Sequence, residues 1–262
     1  MRLCAVWPSI NPKRSNETAR LWIGQGYQVA IMTNGYMPVK AFLATVTGTA
    51  AEYKGYYQSV IVLAHMAIKE GRADVIIFAG DRISPPMHAR AWQLGATFAA
   101  KFPNGYGVMQ PMAAQWKPTI SGLSAREEMS APNRRMHATP PSAERCESPW
   151  IGRRFVTEVY NGNGPYCSDY GQYFGDVELY EVARRMGVLW QRTDVVQEFD
   201  HWSKPGGPSM EDYQQANFDR WYEKDLATYR ARRYKEFPGS GTGGSVKADL
   251  ITPSKKLILP GD

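Results

Sequence analysis

Short apolar runs alternate with amphipathic segments through the first hundred residues. The apolar runs cover residues 3–7, 27–32 and 73–79, and the last of them is the most continuous. Apolar positions recur at helical spacing in residues 15–24 and 56–69. A strand that is apolar along its whole length is typical of a parallel sheet covered on both faces. The alternation therefore predicts an α/β fold, with a mostly parallel central sheet flanked by helices.

Weaker patterns continue this alternation along the rest of the chain. They predict helices at 94–101, 174–186 and 211–234, and short strands at 107–111 and 188–190. Residues 118–148 are polar and contain several prolines, which indicates a long mobile loop. We therefore expect a single domain over 1–237, with a helical extension at its end, followed by a Gly/Ser-rich and basic tail over 238–262.

Composition excludes several classes of protein. The chain has 262 residues, of which 43% are hydrophobic and 21% charged, so global disorder is excluded. No run approaches the ~18 uninterrupted apolar residues of a membrane span, so no membrane partner is expected. The formal net charge of +6 favours polyanionic partners without demonstrating them. Cys4, Cys146 and Cys167 form no CxxC pair, which fits a reducing cytoplasm. The oligomeric state cannot be read from these features.

Polar turns follow the three apolar runs, where ligands of open α/β sheets bind. A carboxylate such as Asp81, directly after the strongest predicted strand, can hold Mg²⁺ or Mn²⁺ together with phosphate oxygens of a nucleotide. A turn aspartate that caps the next segment explains Asp81 equally well. The residues of the three turns are Pro8, Ser9 and Asn11; Thr33 and Asn34; and Asp81 and Arg82.

Two later motifs carry further candidate groups. Asp176 and Glu178 lie at the predicted start of a helix, where acidic side chains are also expected simply as caps. His201 follows a late strand in an aromatic and acidic stretch, Phe-Asp-His-Trp-Ser. It is a candidate metal ligand, although a lone histidine is more often a packed or surface residue.

Together these motifs resemble those of the nucleotide-sugar glycosyltransferases of the GT-A fold. The resemblance is closest to the bacteriophage enzymes that glycosylate hydroxymethylated pyrimidines in DNA, and it covers residues 1–235. In that family a DxD-type motif binds the metal and the donor diphosphate. The resemblance makes Asp81 the matching aspartate, Asp176 the acidic residue at a helix start and His201 the late histidine. Gly80-Asp81-Arg82 departs from the pattern by keeping one aspartate, and Arg82 can compensate by pairing with phosphate.

The resemblance implies transfer of a hexose, with UDP-glucose as the expected donor, to a hydroxymethylated pyrimidine of viral DNA in the host cytoplasm. A Mn²⁺ or Mg²⁺ cofactor at Asp81 and His201 would stabilise the leaving diphosphate. Asp176, with Glu178 as the second choice, would be the general base of an inverting reaction or would orient the acceptor in a retaining one. The expected donor-binding residues are Pro8, Ser9, Asn11, Arg14, Thr33, Asn34, Asp81 and Arg82, and the expected acceptor-binding residues are Arg153, Tyr166 and Trp202.

The acceptor and the enzyme class have alternatives. Basic side chains in the loop at 118–148 and in the helix near residue 230, interleaved with aromatic residues, fit a helix that tracks phosphates and stacks on a base. A solvated amphipathic helix shows the same pattern. A protein or polysaccharide acceptor, a metal-dependent nucleotidyltransferase and a non-catalytic DNA-binding protein therefore remain open. The aromatic residues in question are Trp221, Tyr222, Tyr229 and Tyr234.

Overall fold

A central sheet with helices on both faces forms the body of the computed structural model, which describes residues 1–34, 43–50, 53–113, 144–199 and 212–241. The strands are β1 (Leu3–Ser9), β2 (Gln28–Asn34), β3 (Val46–Ala50), β4 (Val75–Phe78), β5 (Val108–Ala113), β6 (Trp150–Gly152) and β7 (Leu189–Gln197). The helices are α1 (Pro12–Gly24), α2 (Tyr56–Lys69), α3 (Ala91–Lys101), α4 (Arg153–Glu158), α5 (Gly175–Arg185) and α6 (Asp212–Tyr234). A 3₁₀ turn at Val159–Gly162 follows α4.

The described strands form one seven-stranded sheet in the order β3-β2-β1-β4-β6-β5-β7. β1 pairs in parallel with β2 and β4, β2 with β3, and β5 with β7. β6 runs antiparallel to its neighbours β4 and β5. The sheet is therefore mostly parallel and flanked by helices, as the sequence predicts. The carboxyl ends of β1, β2, β3 and β4 share one edge, which we call the carboxyl edge.

Two hydrophobic cores lie on opposite faces of this sheet. Val6 and Ile76 point into the core beneath α2, α5 and α6. Their neighbours Trp7 and Ile77 point into the core beneath α1 and α3. Because both faces are covered, residues 3–7 of β1 and all four residues of β4 are buried, which explains why their apolar runs show no polar alternation.

The start of α1 differs from the sequence prediction. The helix begins at Pro12 with Asn11 as its N-cap, whose Oδ1 accepts a hydrogen bond from the Arg14 backbone at 3.0 Å. Proline at the first helical position lacks only an N–H that has no helical partner there. Ser15, the first residue of the segment with helical spacing, is instead buried within the helix, and its Oγ accepts from Trp7 Nε1 at 2.8 Å. The helix therefore starts directly beyond β1 and brings its first turn to the carboxyl edge.

Several other elements differ from expectation, while α2 has the predicted bounds, 56–69. β2 continues through Thr33 and Asn34, which the sequence placed in a turn. β3 and β6 are strands that the apolar pattern does not predict. Most of the predicted loop and most of the predicted tail lie outside the described residues. Among the helices described, none is long and apolar enough to cross a bilayer.

Candidate functional site

The Asp81 loop is held at the carboxyl edge by β1 and α1. Ser9, the last residue of β1, donates from Oγ to Asp81 Oδ2 at 3.3 Å. The same Oγ accepts from the Asn11 backbone at 3.1 Å. Thr18 of α1 donates to the Asp81 carbonyl oxygen at 2.8 Å. Ser9, Asn11 and Asp81, which the sequence places in two separate turns, therefore lie together, and Asp81 is half-buried.

The chain that follows β7 lies beside the same loop. Phe199 forms an antiparallel bridge with Ile83, and the Ser84 backbone donates to the Glu198 carbonyl at 2.9 Å. Trp22 of α1 fixes this loop from beneath by donating to the Ile83 carbonyl at 2.8 Å. His201, the predicted metal ligand, and Trp202, predicted to bind the acceptor, lie outside the described residues.

Asp176 lies at the N-terminus of α5 and is half-buried. Its Oδ1 accepts from Tyr57 Oη at 3.0 Å, and its backbone N–H donates to the same Oη at 3.0 Å. The Cys146 backbone donates to its carbonyl oxygen at 3.1 Å. Within the described part of the chain, nothing donates to Asp176 Oδ2. One carboxylate oxygen is thus fixed by the fold, and the other is available to accept a hydrogen bond.

Two consecutive tyrosines at the start of α2 join these segments. Tyr56 donates to the Ala79 carbonyl oxygen at 3.1 Å, two residues before Asp81, while Tyr57 binds Asp176. Asp81 and Asp176 therefore belong to the same edge of the sheet. Burial, with the charge of Asp176 as a further cause, raises the pKa of both phenols, so both remain protonated donors.

The oxygen atoms near Asp81 fit a hard divalent cation held jointly with a nucleotide. No group of three or more His, Cys, Asp or Glu side chains that could hold a metal occurs among the residues described. Mg²⁺ beside a nucleotide needs only one or two carboxylates, because phosphate oxygens and waters complete its coordination. Asp81 with the Ser9 hydroxyl matches that smaller requirement.

Glu178 belongs to a buried ionic network, which contradicts its prediction as the second-choice catalytic residue. It is 1% exposed and accepts hydrogen bonds from Tyr160 at 2.7 Å and Tyr170 at 2.6 Å. Arg232 donates to its two oxygens at 2.8 and 2.9 Å. A carboxylate that is enclosed and bonded at both oxygens has no position left for a substrate. The ion pair spans 54 residues of sequence, so local sequence gives no sign of it.

The structure also disagrees with the prediction that Tyr166 and Arg153 bind the acceptor. Tyr166 is 2% exposed, and its ring packs against Tyr57 and Phe78 with centroid distances of 4.8 and 5.0 Å, so it is a core residue. Arg153 donates to the Ala73 carbonyl at 2.8 Å and to Asp74 at 2.9 Å. Those partners precede β4, so Arg153 lies at the opposite edge of the sheet from Asp81. Neither residue fits acceptor binding at the carboxyl edge.

The predicted donor-binding residues divide into two groups. The Thr33 side chain is fully buried and donates to the Gly48 carbonyl of β3 at 3.5 Å, so the structure contradicts its predicted contact with a ligand. The others lie at the carboxyl edge, and their donor contacts stay predictions. These residues are Pro8, Ser9, Asn11, Arg14, Asn34, Asp81 and Arg82.

The aromatic residues of α6 mostly face the core. Trp221, Tyr222 and Tyr229 are each 8% exposed, so the prediction that they stack on a nucleic-acid base is wrong. Tyr234 is 90% exposed, and it alone of the four can meet a partner in this way. Their spacing along a helix is also typical of a buried stripe, which is a signal that the sequence contains.

Comparison with known proteins supports the fold. No family model matches the sequence, and no curated protein matches it. The solved structure of glucosyl-3-phosphoglycerate synthase from M. tuberculosis with phosphoglyceric acid matches with a TM-score of 0.52 and 12% identity, over 88% of this chain and 79% of that chain. The same enzyme with Mg²⁺ and uridine diphosphate matches with a TM-score of 0.51 and 11% identity, over 92% and 81%.

At these identities the likeness establishes the fold alone. The chain has the GT-A-like α/β fold, and the fold class predicted from its sequence is confirmed. Likeness to the bacteriophage DNA enzymes has no counterpart among these matches.

Proposed function

We propose that the protein is a glycosyltransferase that moves a hexosyl group from a nucleoside diphosphate sugar, with UDP-glucose as the expected donor, to a hydroxyl acceptor. One observation carries this proposal. Tyr56 binds the Ala79 carbonyl, two residues before Asp81 at the carboxyl edge of a GT-A-like sheet, and the adjacent Tyr57 binds a second half-buried carboxylate, Asp176. The edge thus offers one carboxylate for the donor and one for the acceptor.

The donor diphosphate would lie at Asp81. Asp81 would hold a Mg²⁺ or Mn²⁺ ion, which would supply positive charge to the departing diphosphate. The similar mycobacterial enzyme has been solved with Mg²⁺ and uridine diphosphate, which supports this choice of ligands. Ser9 holds the Asp81 carboxylate in place, and Arg82 pairs with a phosphate oxygen. We propose His201 as a further metal ligand because Phe199, two residues before it, lies opposite Ile83.

The acceptor hydroxyl would approach Asp176. The oxygen of the acceptor hydroxyl forms a bond to the anomeric carbon of the sugar. At the same time the bond from that carbon to the diphosphate oxygen breaks, and the diphosphate leaves with the electron pair. If the reaction inverts the anomeric carbon, Asp176 Oδ2 takes the hydroxyl proton as general base. If it retains the configuration, the same oxygen orients the acceptor by accepting its hydrogen bond, and the hydroxyl proton passes to the departing diphosphate oxygen.

We propose DNA carrying a hydroxymethylated pyrimidine as the acceptor. The net charge of +6 and the exposed basic side chains at the end of α6 support a polyanionic partner. A base in a duplex would have to leave the stack to reach the carboxyl edge. The basic residues in question are Arg230, Arg233 and Lys235.

Thermal unfolding with nucleoside diphosphates tests the donor proposal. We expect UDP with Mn²⁺ to raise the melting temperature more than UDP alone, since a ligand that binds only the native state stabilises it. GDP and CDP with Mn²⁺ serve as matched comparisons. If no nucleoside diphosphate stabilises the protein, the glycosyltransferase proposal is wrong.

A transfer assay tests the acceptor. UDP-glucose is supplied with a duplex that contains hydroxymethylcytosine or hydroxymethyluracil, and the unmodified duplex is the control. Glucose on the modified duplex alone supports the DNA proposal. Transfer only to a protein, to glycogen or to 3-phosphoglycerate overturns the DNA proposal and leaves the enzyme class in place. Release of pyrophosphate from UTP and a sugar phosphate identifies a nucleotidyltransferase instead.

A further inference from the structure

The first turn of α2 contacts both carboxylate-bearing segments of the carboxyl edge. The hydroxyl of Tyr56 reaches back to the strand end that precedes Asp81, and the hydroxyl of Tyr57 reaches across to Asp176. Both side chains leave consecutive residues of one rigid helix. The separation between the two segments is therefore set by the geometry of a single helical turn.

We infer that Tyr57 is a positioning residue for transfer, acting through Asp176, and that Tyr56 is its counterpart for the donor side, acting through the Asp81 loop. This inference rests on the proposed function. The two tyrosines show a division of labour: Tyr57 governs the chemical step, and Tyr56 governs binding of the donor.

The hydroxyl of Tyr57 fixes Asp176 by two bonds. It donates to Oδ1 at 3.0 Å and accepts from the Asp176 backbone N–H at 3.0 Å. The side chain and the backbone of Asp176 thus share one partner, which restricts the rotation of the carboxylate. With Oδ1 held in this way, Oδ2 has a defined direction. Catalytic groups need such restraint, because small misplacements reduce the rate by large factors.

The ring of Tyr57 is itself held in place. It is 4% exposed and lies against Tyr166 and Tyr170, with centroid distances of 4.8 and 6.1 Å. A Cβ added to Gly175, the residue before Asp176, would come within 2.8 Å of this ring, so α5 approaches it as closely as glycine allows. The backbone N–H of Tyr57 donates to the Gly171 carbonyl at 3.2 Å. The tyrosine is therefore a fixed point from which Asp176 is oriented.

Phenylalanine substitutions separate the two roles. Tyr57→Phe keeps the ring and removes both bonds to Asp176, so we expect kcat to fall by about 10- to 100-fold with the KM for UDP-glucose unchanged. Tyr56→Phe releases the Ala79 carbonyl, so we expect the KM for UDP-glucose and the Kd for UDP to rise while kcat changes less. Equal effects of the two variants on kcat and KM would contradict the division of labour.

Tyr27→Phe is the matched control. The Tyr27 hydroxyl is buried and has no hydrogen-bond partner among the described residues, and its ring packs in the core beneath α1 and α3. This substitution tests the loss of a buried tyrosine hydroxyl that lies away from the carboxyl edge. We expect kcat and KM within about twofold of the wild type, since no hydrogen bond is lost.

A double substitution tests whether Tyr57 acts through Asp176. In an Asp176→Asn background, Tyr57→Phe should cause little further loss of kcat, because the group that it positions no longer works as a base. Losses that multiply would assign Tyr57 a merely structural role and overturn the inference. Full activity of Asp176→Asn itself would instead overturn the proposed role of Asp176. If Asp176→Asn is inactive and Tyr57→Phe equals Tyr27→Phe, this inference alone fails.

Discussion

Two acidic residues of α5, two positions apart, lie in opposite surroundings. Asp176 is half-buried at the carboxyl edge, and a single side chain binds one of its oxygens. Glu178 is 1% exposed in the interior, where two tyrosines and an arginine bind both of its oxygens. One carboxylate is therefore open to a ligand at the carboxyl edge, and the other stabilises the packing of α5 against α6.

The interior region extends beyond Glu178 into a network between α5 and α6. Glu181 accepts from Tyr229 and from Arg233. Although burial alone lowers the pKa of Arg232, its hydrogen bond to Glu178 and the charge of that carboxylate raise it above the usual range. Asp225 of α6 accepts from the backbones of three consecutive residues, Gly171, Gln172 and Tyr173, at 2.7–3.2 Å. The network thereby fixes the loop that leads to Asp176.

The largest expected effect is on transfer by Asp176→Asn. Loss of a positioned general base reduces the rate by about 10²- to 10⁴-fold. Because this residue is half-buried, we expect only a small change in the free energy of unfolding, and donor binding should persist. Initial rates of UDP release, with UDP affinity from calorimetry, check both statements. Full activity would show that Asp176 has no part in the reaction.

The matched change in the interior, Glu178→Gln, should have the reverse effect. Removing the charge takes from half-buried Arg232 its buried partner and leaves it exposed Asp169, 3.8 Å away, so we expect the free energy of unfolding to fall by about 2 kcal/mol. Urea unfolding followed by tryptophan fluorescence measures this. If the variant is as stable as the wild type but inactive in transfer, Glu178 has a catalytic role and not a structural one.

Asp225→Asn tests the part of the network that supports the loop before α5. Its charged carboxylate accepts from three backbone N–H groups, and an amide oxygen accepts them more weakly, so we expect a loss of about 1.5 kcal/mol in stability. Asp219→Asn, exposed on the same helix, is the control and should change stability by less than about 0.5 kcal/mol. Equal effects of the two changes would show that the backbone contacts contribute little.

The smallest expected effect is on the reactivity of the cysteine thiols, which are buried in the interior as Glu178 is. Burial raises the pKa of Cys4 and Cys167 to about 12 and that of Cys146 well above its usual value. Raised values leave little thiolate at pH 8, so we expect no reaction with Ellman's reagent before unfolding. Three thiols should then react in urea. Rapid reaction of the native protein would contradict the burial of these side chains.

Sequence alone predicts the elements whose signal is local. The continuous apolar runs identify β1 and β4, and α2 has the predicted bounds. The apolar pattern does not predict β3, because its sequence, Val-Thr-Gly-Thr-Ala, contains few large apolar residues. It does not predict β6, because that strand has only three residues. Such strands are specified by their neighbours in the sheet rather than by their own composition.

The candidate site follows the same rule. The location of Asp81 and of Asp176 at the carboxyl edge can be predicted from sequence, because each follows a recognisable element boundary. The structural role of Glu178 cannot, because it depends on Arg232, 54 residues away. Tyr166 and Arg153 were misassigned for the same reason, since ring packing and carbonyl contacts from distant segments determine where they lie.

Calorimetric titration with UDP and Mn²⁺ tests the central claim, that Asp81 binds the donor diphosphate through a metal. Asp81→Asn is compared with Asp74→Asn, since these two aspartates flank opposite ends of β4. We predict binding by the wild type that requires Mn²⁺, affinity lowered about 10- to 100-fold by Asp81→Asn, and unchanged affinity in Asp74→Asn. Equal affinity of wild type and Asp81→Asn, or no binding of UDP by the wild type, would contradict the account.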